Sequence, residues 1–88
     1  MPKISEFGGI SIYLYYNDHD PPHFHVIYSE LRTRIEIMTG EYLREDKPLP
    51  RTKEKDVIMW LDIHKGDMIK AWYECRCKEA PRKIPPLY

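Results

Sequence analysis

Residues 10–16 read Ile-Ser-Ile-Tyr-Leu-Tyr-Tyr, an alternation that sets Ile10, Ile12, Leu14 and Tyr16 on one side of an extended strand and Ser11, Tyr13 and Tyr15 on the other. The β-branched and aromatic side chains suit a half-buried strand. Gly8-Gly9 breaks whatever precedes it, and Asn17 to Pro22 forms a loop, because a proline has no N–H for a ladder. The alternation resumes over residues 23–28. Phe24, Val26 and Tyr28 share one face there, and His23, His25 and Ile27 the other. Ser29-Glu30 makes the tip of a tight hairpin into residues 31–38, where Leu31, Thr33, Ile35 and Ile37 oppose Arg32, Arg34, Glu36 and Met38. Thr39-Gly40 is a turn, and Glu41 to Arg44 is a candidate fourth strand.

After Lys47-Pro48-Leu49-Pro50 the period lengthens. Val57, Leu61, His64, Met68, Trp72 and Cys75 recur every three or four residues, widened by Ile58, Trp60, Ile63 and Ile69, which is a helical stripe. Thr52 is the expected N-cap, with Glu54 and Asp56 near the positive end of the dipole. Gly66-Asp67 either kinks one helix or divides two; the stripe keeps its phase across the break, which favours one kinked helix ended by Pro81. Trp60 and Trp72, as core or interface anchors, differ by about 120° around a straight helix, so they are expected on different faces. The expectation is an α+β fold: an antiparallel sheet of three to four strands followed by one long or two short helices packed on one sheet face. It is a single domain over 1–88, with a sheet part at 1–46, a helical part at 51–80 and a Pro-rich tail at 81–88.

Charge narrows the function classes. Fourteen Lys/Arg balance fourteen Asp/Glu, which argues against a chain that coats phosphates, since strong non-specific nucleic-acid binders are basic overall. No run approaches the roughly 20 apolar residues of a membrane span, and the opening lacks a signal-peptide pattern, so the expected location is the cytosol. Cys75 and Cys77 are then expected as reduced thiols.

The chemistry concentrates in Asn17-Asp18-His19-Asp20-Pro21-Pro22-His23-Phe24-His25, which holds three of the four histidines. His23 and His25 are expected on one side of their strand, roughly 6.5–7 Å apart at the backbone, opposite the packed interior. Imidazoles at that spacing can converge on a divalent ion, with Asp18, His19 or Asp20 completing the ligand set. They can also serve as a general acid and base, with His19, His23 and His25 as catalytic groups and Arg32 or Arg34 holding a phosphate during RNA cleavage. The scaffolding alternative is that Asn17 and Asp18 close the turn on their own backbone, and that a neighbouring histidine satisfies a buried polar group. Sheet tyrosines such as Tyr13, Tyr15, Tyr16 and Tyr28 fit packing with a wet hydroxyl better than base stacking. Arg76, Lys78, Arg82 and Lys83 make a basic end. Beyond it Arg82, Lys83, Ile84, Leu87 and Tyr88 form an extended tail suited to lie along a protein partner.

These motifs resemble a family of short bacterial proteins catalogued as domain of unknown function 4160. The carriers are Met1 to Ile10, Tyr15 to His19, Pro21-Pro22-His23-Phe24-His25, Thr39-Gly40-Glu41, Trp60 with His64, Trp72, and Lys83-Ile84-Pro85; Gly66-Asp67 departs from the pattern. The resemblance spans nearly the whole chain and brings no established activity. It implies a small cytosolic protein often encoded beside another small protein, an arrangement that resembles toxin–antitoxin pairs. The leading expectation is therefore a protein-binding module, one half of such a pair, with a small protein or a second copy of itself as partner. The alternative is a histidine-dependent ribonuclease-type toxin, without a cofactor or with a divalent metal ion.

Overall fold

A computed structural model describes residues 2–44 and 46–88; Met1, where the family-like opening begins, and Glu45, within the sheet part, lie outside the described residues. Four strands, β1 (Lys3–Phe7), β2 (Ile10–Tyr13), β3 (His23–Tyr28) and β4 (Leu31–Glu36), precede one helix, α1 (Arg51–Arg76). The strands form one antiparallel sheet in the order β1-β2-β3-β4. The α+β expectation holds, with the helix packed over one sheet face.

The hairpins explain where the strand boundaries moved. Gly8 and Gly9 both have positive φ, 56° and 77°, and join Phe7 to Ile10 in register, which is the geometry of a two-residue type I′ hairpin. The expected break is thus a turn, and β1 precedes it. The register of β1 shifts between Lys3 and Ser5, so Ile4 and Ser5 are both buried and the simple alternation is lost. Strand β2 stops at Tyr13 rather than Tyr16, although Leu14 stays buried and its N–H donates to the Pro2 carbonyl at 3.2 Å. Ser29 adopts a φ of 55° in the expected Tyr28–Leu31 hairpin. The candidate strand at 41–44 reduces to a single bridge between Tyr42 and Ile35.

Helix α1 lays Val57, Trp60, Leu61, Met68, Ala71, Trp72 and Cys75 on the sheet. The Trp60 ring lies 5.7 Å from Phe7 and 5.9 Å from Phe24. Backbone angles at His64 are non-helical, φ −112° and ψ 18°, so one kinked helix is correct, and the irregularity falls two residues before Gly66. Both indoles are nevertheless buried, contrary to the expectation of different faces: at about 100° per residue the buried positions from Val57 to Cys75 fall within one arc of about 120°, with Trp60 and Trp72 at its two edges.

Pro50, not Thr52, precedes the first turn, with no side-chain cap; the Glu54 N–H bonds to its carbonyl at 2.8 Å. Next to it, the Tyr42 hydroxyl donates to Glu54 at 2.6 Å and accepts the Leu49 N–H at 2.9 Å. Burial first, then Glu54, pushes the Tyr42 pKa up to about 12. The helix ends before Pro81. Lys78 takes a left-handed φ of 61°, and the N–H groups of Lys78 and Glu79 bond back to Cys75 and Glu74, a Schellman arrangement with lysine at the usual glycine position. Cys75 is buried and Cys77 exposed, both as free thiols. No helix among the described residues is long and apolar enough to cross a membrane.

Candidate functional site

The Pro21-Pro22 step delivers the chain into β3, and the Ile37 N–H fixes that junction by donating to the Pro22 carbonyl at 3.0 Å. From there the two-residue period of the strand does the positioning. Phe24 and Val26 enter the core, and His23 and His25 emerge together on the other side, their rings 5.2 Å apart. The loop returns Asp18 over both imidazoles. Its Oδ2 lies 2.8 Å from His25 Nε2 and 3.3 Å from His23 Nε2. Among the described residues, Asp18, His23 and His25 are the group whose ligand atoms all lie within 4.8 Å of one another.

The two histidines differ in their surroundings. His23 is buried, which corrects the expectation that it stands away from the packed interior: Trp72, late in α1, reaches this end of the sheet and its ring lies 5.3 Å from the imidazole. His23 Nδ1 lies 2.8 Å from the Pro21 carbonyl oxygen. A carbonyl can only accept, so Nδ1 carries the proton. His25 is half-buried, its ring centre 4.0 Å from that of Tyr15 with the two planes nearly perpendicular. Burial holds the His25 pKa below the ordinary imidazole range, against the hydrogen bond and negative charge of Asp18, which pull it up.

Arg34 stands directly opposite His25 on β4. Its Nε and Nη2 grip the Asp46 carboxylate at 2.9 and 3.0 Å, and this pairing holds the Asp46 pKa below the usual carboxylate range. Arg32 stands opposite Ile27. Tyr15, His25, Ile27, Arg32, Arg34 and Asp46 border a shallow cavity of about 140 Å³. Sequence reasoning selected both arginines and both strand histidines but missed Asp46, Tyr15 and the Pro21 carbonyl; nothing in the spacing marks an aspartate twelve residues past Arg34 as its partner.

His19 does not join the cluster. It is exposed and lines a depression with Tyr16, Asn17, Asp18, Arg76 and Lys78, on the solvent side of the loop. Asp20 is likewise exposed, 3.4 Å from Arg76. His64 packs beside Trp60 at the helix irregularity.

The tail is not a free strap. Ile84 is buried in the core, and its N–H donates to the Ile4 carbonyl at 2.8 Å along the outer edge of β1. The Pro85 carbonyl accepts the Trp60 indole N–H at 2.9 Å. Arg82 pairs with Glu74 at 3.0 Å, Lys83 donates to the Lys3 carbonyl at 2.6 Å, Leu87 packs half-buried, and the Tyr88 hydroxyl reaches Asp56 at 3.2 Å. Ile84 and Leu87 thus pack on this chain's own core, while Tyr88 stays 67% exposed.

No curated protein and no solved structure matches the chain. The family model described as a domain of unknown function (DUF4160) matches residues 9–73, a span that includes the Pro-Pro-His-Phe-His block, Arg34, Asp46 and Trp72. With most of its length inside that match, the chain belongs to the family of proteins carrying this domain of unknown function.

Proposed function

We propose that this chain is a small histidine-dependent phosphodiesterase that cleaves RNA, of the kind expected for the toxin half of a toxin–antitoxin-like pair in the cytosol. The observation that carries the reading is that His25, bonded from behind by Asp18, lines one shallow cavity together with Arg32 and Arg34. With its Nε2–H directed at Asp18, neutral His25 keeps the Nδ1 lone pair for base work, and Asp18 holds the tautomer. Two N–H groups of Arg34 Nη1 are left over from the Asp46 pair, and Arg32 is exposed, so guanidinium donors are at hand for a phosphate. In this reaction His25 takes the 2′-hydroxyl proton, the 2′-oxygen attacks phosphorus, and the bond to the 5′-oxygen breaks as that oxygen takes up a proton from solvent water, His25 returning its own to solvent afterwards. His23 is too buried to meet substrate and packs beside His25. The zero net charge suits short-range recognition rather than long-range steering.

The test is incubation of metal-stripped protein with a single-stranded RNA oligonucleotide. Expected products carry 2′,3′-cyclic phosphate ends; His25→Ala lowers the rate at least about 100-fold and His19→Ala leaves it unchanged. Absence of cleavage, or equal cleavage by His25→Ala, overturns the reading.

One observation favours a protein partner as a second reading. Met59 and Ile63, four residues apart on α1, are 47% and 63% exposed. A second copy or another small protein covering them would be displaced by Ile63→Glu, measured by light scattering during gel filtration. A monomer at every concentration argues against the self-associating form.

A further inference from the structure

We propose that Asp18, His23 and His25 together bind one divalent transition-metal ion that takes nitrogen and oxygen ligands, such as Zn²⁺, Co²⁺ or Ni²⁺. The inference goes beyond the phosphodiesterase reading and does not rest on it. It begins with hydrogen-bond accounting. His23 spends its one neutral-state proton on the Pro21 carbonyl at 2.8 Å, so its Nε2 presents a lone pair. That lone pair faces Asp18 Oδ2 at 3.3 Å, an oxygen that also has only lone pairs to offer. Two acceptors face one another in a place where His23 is 5% exposed and water has little room to intervene. A positive species between them resolves the contact, either a second proton on His23 or a cation.

Three features favour the cation. The nitrogen–oxygen separations of 2.8 and 3.3 Å lie within the roughly 2.8–3.4 Å that neighbouring ligands adopt around an ion bound at about 2.0–2.1 Å, and all three ligand atoms lie within 4.8 Å of one another. The Nδ1–H to Pro21 bond is the outer-shell contact that fixes a metal-ligating histidine in the correct tautomer. Two imidazoles and one carboxylate leave further positions for water, and the 20% and 21% exposure of His25 and Asp18 gives the ion a way in. Binding also has a consequence at His25. Ligation by Nε2 moves the imidazole proton to Nδ1, so the loaded protein loses the free lone pair that metal-free cleavage requires.

The test is titration of the metal-stripped full-length chain with Co²⁺, followed by visible absorption, and with Zn²⁺, followed by calorimetry. One equivalent binds, and His25→Ala and Asp18→Asn each weaken binding by more than about 100-fold, beyond the roughly 10–100-fold that loss of an outer-shell contact costs. His19→Ala and Cys77→Ser leave binding unchanged. His23→Ala is scored only if circular dichroism shows the native fold; the two partly exposed positions carry the test without it. No binding at millimolar ion, affinity indifferent to His25→Ala and Asp18→Asn, or binding lost with Cys77→Ser overturns the proposal. RNA cleavage in chelator without ion binding would remove the metal site and keep the phosphodiesterase; ion binding without cleavage would do the reverse.

Discussion

Asp18 Oδ2 and His25 Nε2 lie 2.8 Å apart across seven residues of sequence, joined by a loop that turns one carboxylate over a strand. Groups that act as one unit lose their effect together. Asp18→Asn and His25→Ala are therefore expected to lower RNA cleavage by similar factors, about 100-fold or more, and the double variant to fall little further. Single-turnover rates on one oligonucleotide check this; multiplicative losses would show that the two side chains act separately.

Acid stability should depend on Arg34. The guanidinium holds the folded-state pKa of Asp46 down, so the pair contributes stability that is fully present above the unfolded carboxylate pKa of about 3.9 and is lost as pH falls through the lower, folded value. Because Arg34 is itself 41% exposed, solvent screening reduces the contribution to about 0.5–1 kcal/mol. Arg34→Met should lower the urea midpoint more at pH near 7 than at pH about 2, where the difference from wild type shrinks. An equal loss at both pH values would mean lost packing rather than lost charge.

Removing the tail should damage the fold. Ile84 is 4% exposed within the core, and Ile84→Ala is expected to cost about 2–4 kcal/mol, a large part of the stability of a domain this size. Deleting residues 82–88 should cost at least as much. Chemical denaturation followed by Trp fluorescence reads both, and an unchanged midpoint would mean that the tail is undocked in solution.

Two glycines should respond in opposite senses to alanine. Gly8 has a left-handed φ of 56°, its added Cβ would run into the Tyr88 hydroxyl, and Lys53 holds its carbonyl at 2.8 Å. Gly8→Ala should cost about 1–2 kcal/mol. Gly66 lies inside α1 with open space around it, so Gly66→Ala should add about 0.5–1 kcal/mol. Thermal midpoints moving in the same direction would contradict the backbone assignment at one of them.

Thr33 is 2% exposed, and among the described residues its hydroxyl finds no partner. Thr33→Val keeps the shape and removes an unmatched polar atom, so stability should rise by up to about 1 kcal/mol. A loss of stability in urea unfolding would mean that the hydroxyl is bonded in solution.

Much of the fold was legible because its signals are local. Alternation at Ile10–Tyr13, His23–Tyr28 and Leu31–Glu36 reports which side chain faces which way whatever the rest of the chain does. The helical stripe from Val57 to Cys75 is equally local. Strand β1 was not legible, because a register shift buries two consecutive side chains and hides the period. Thr52 has the chemistry of a cap, but the helix is already under way at Arg51, its start set by buried Leu49 and by Pro50.

The sequence by itself determined that His23 and His25 share a side of one strand, since a period of two permits nothing else. It also determined that a sheet precedes a helical part, one long helix or two short ones. The tertiary structure decided which groups those histidines meet: Asp18 but not His19, Trp72 over one ring and open solvent beside the other, Asp46 on the neighbouring arginine, and Ile84 inside the core. Each of these contacts depends on how loops and ends return through space to an open edge or an unmatched donor, and a linear pattern of polar and apolar residues does not carry that distance.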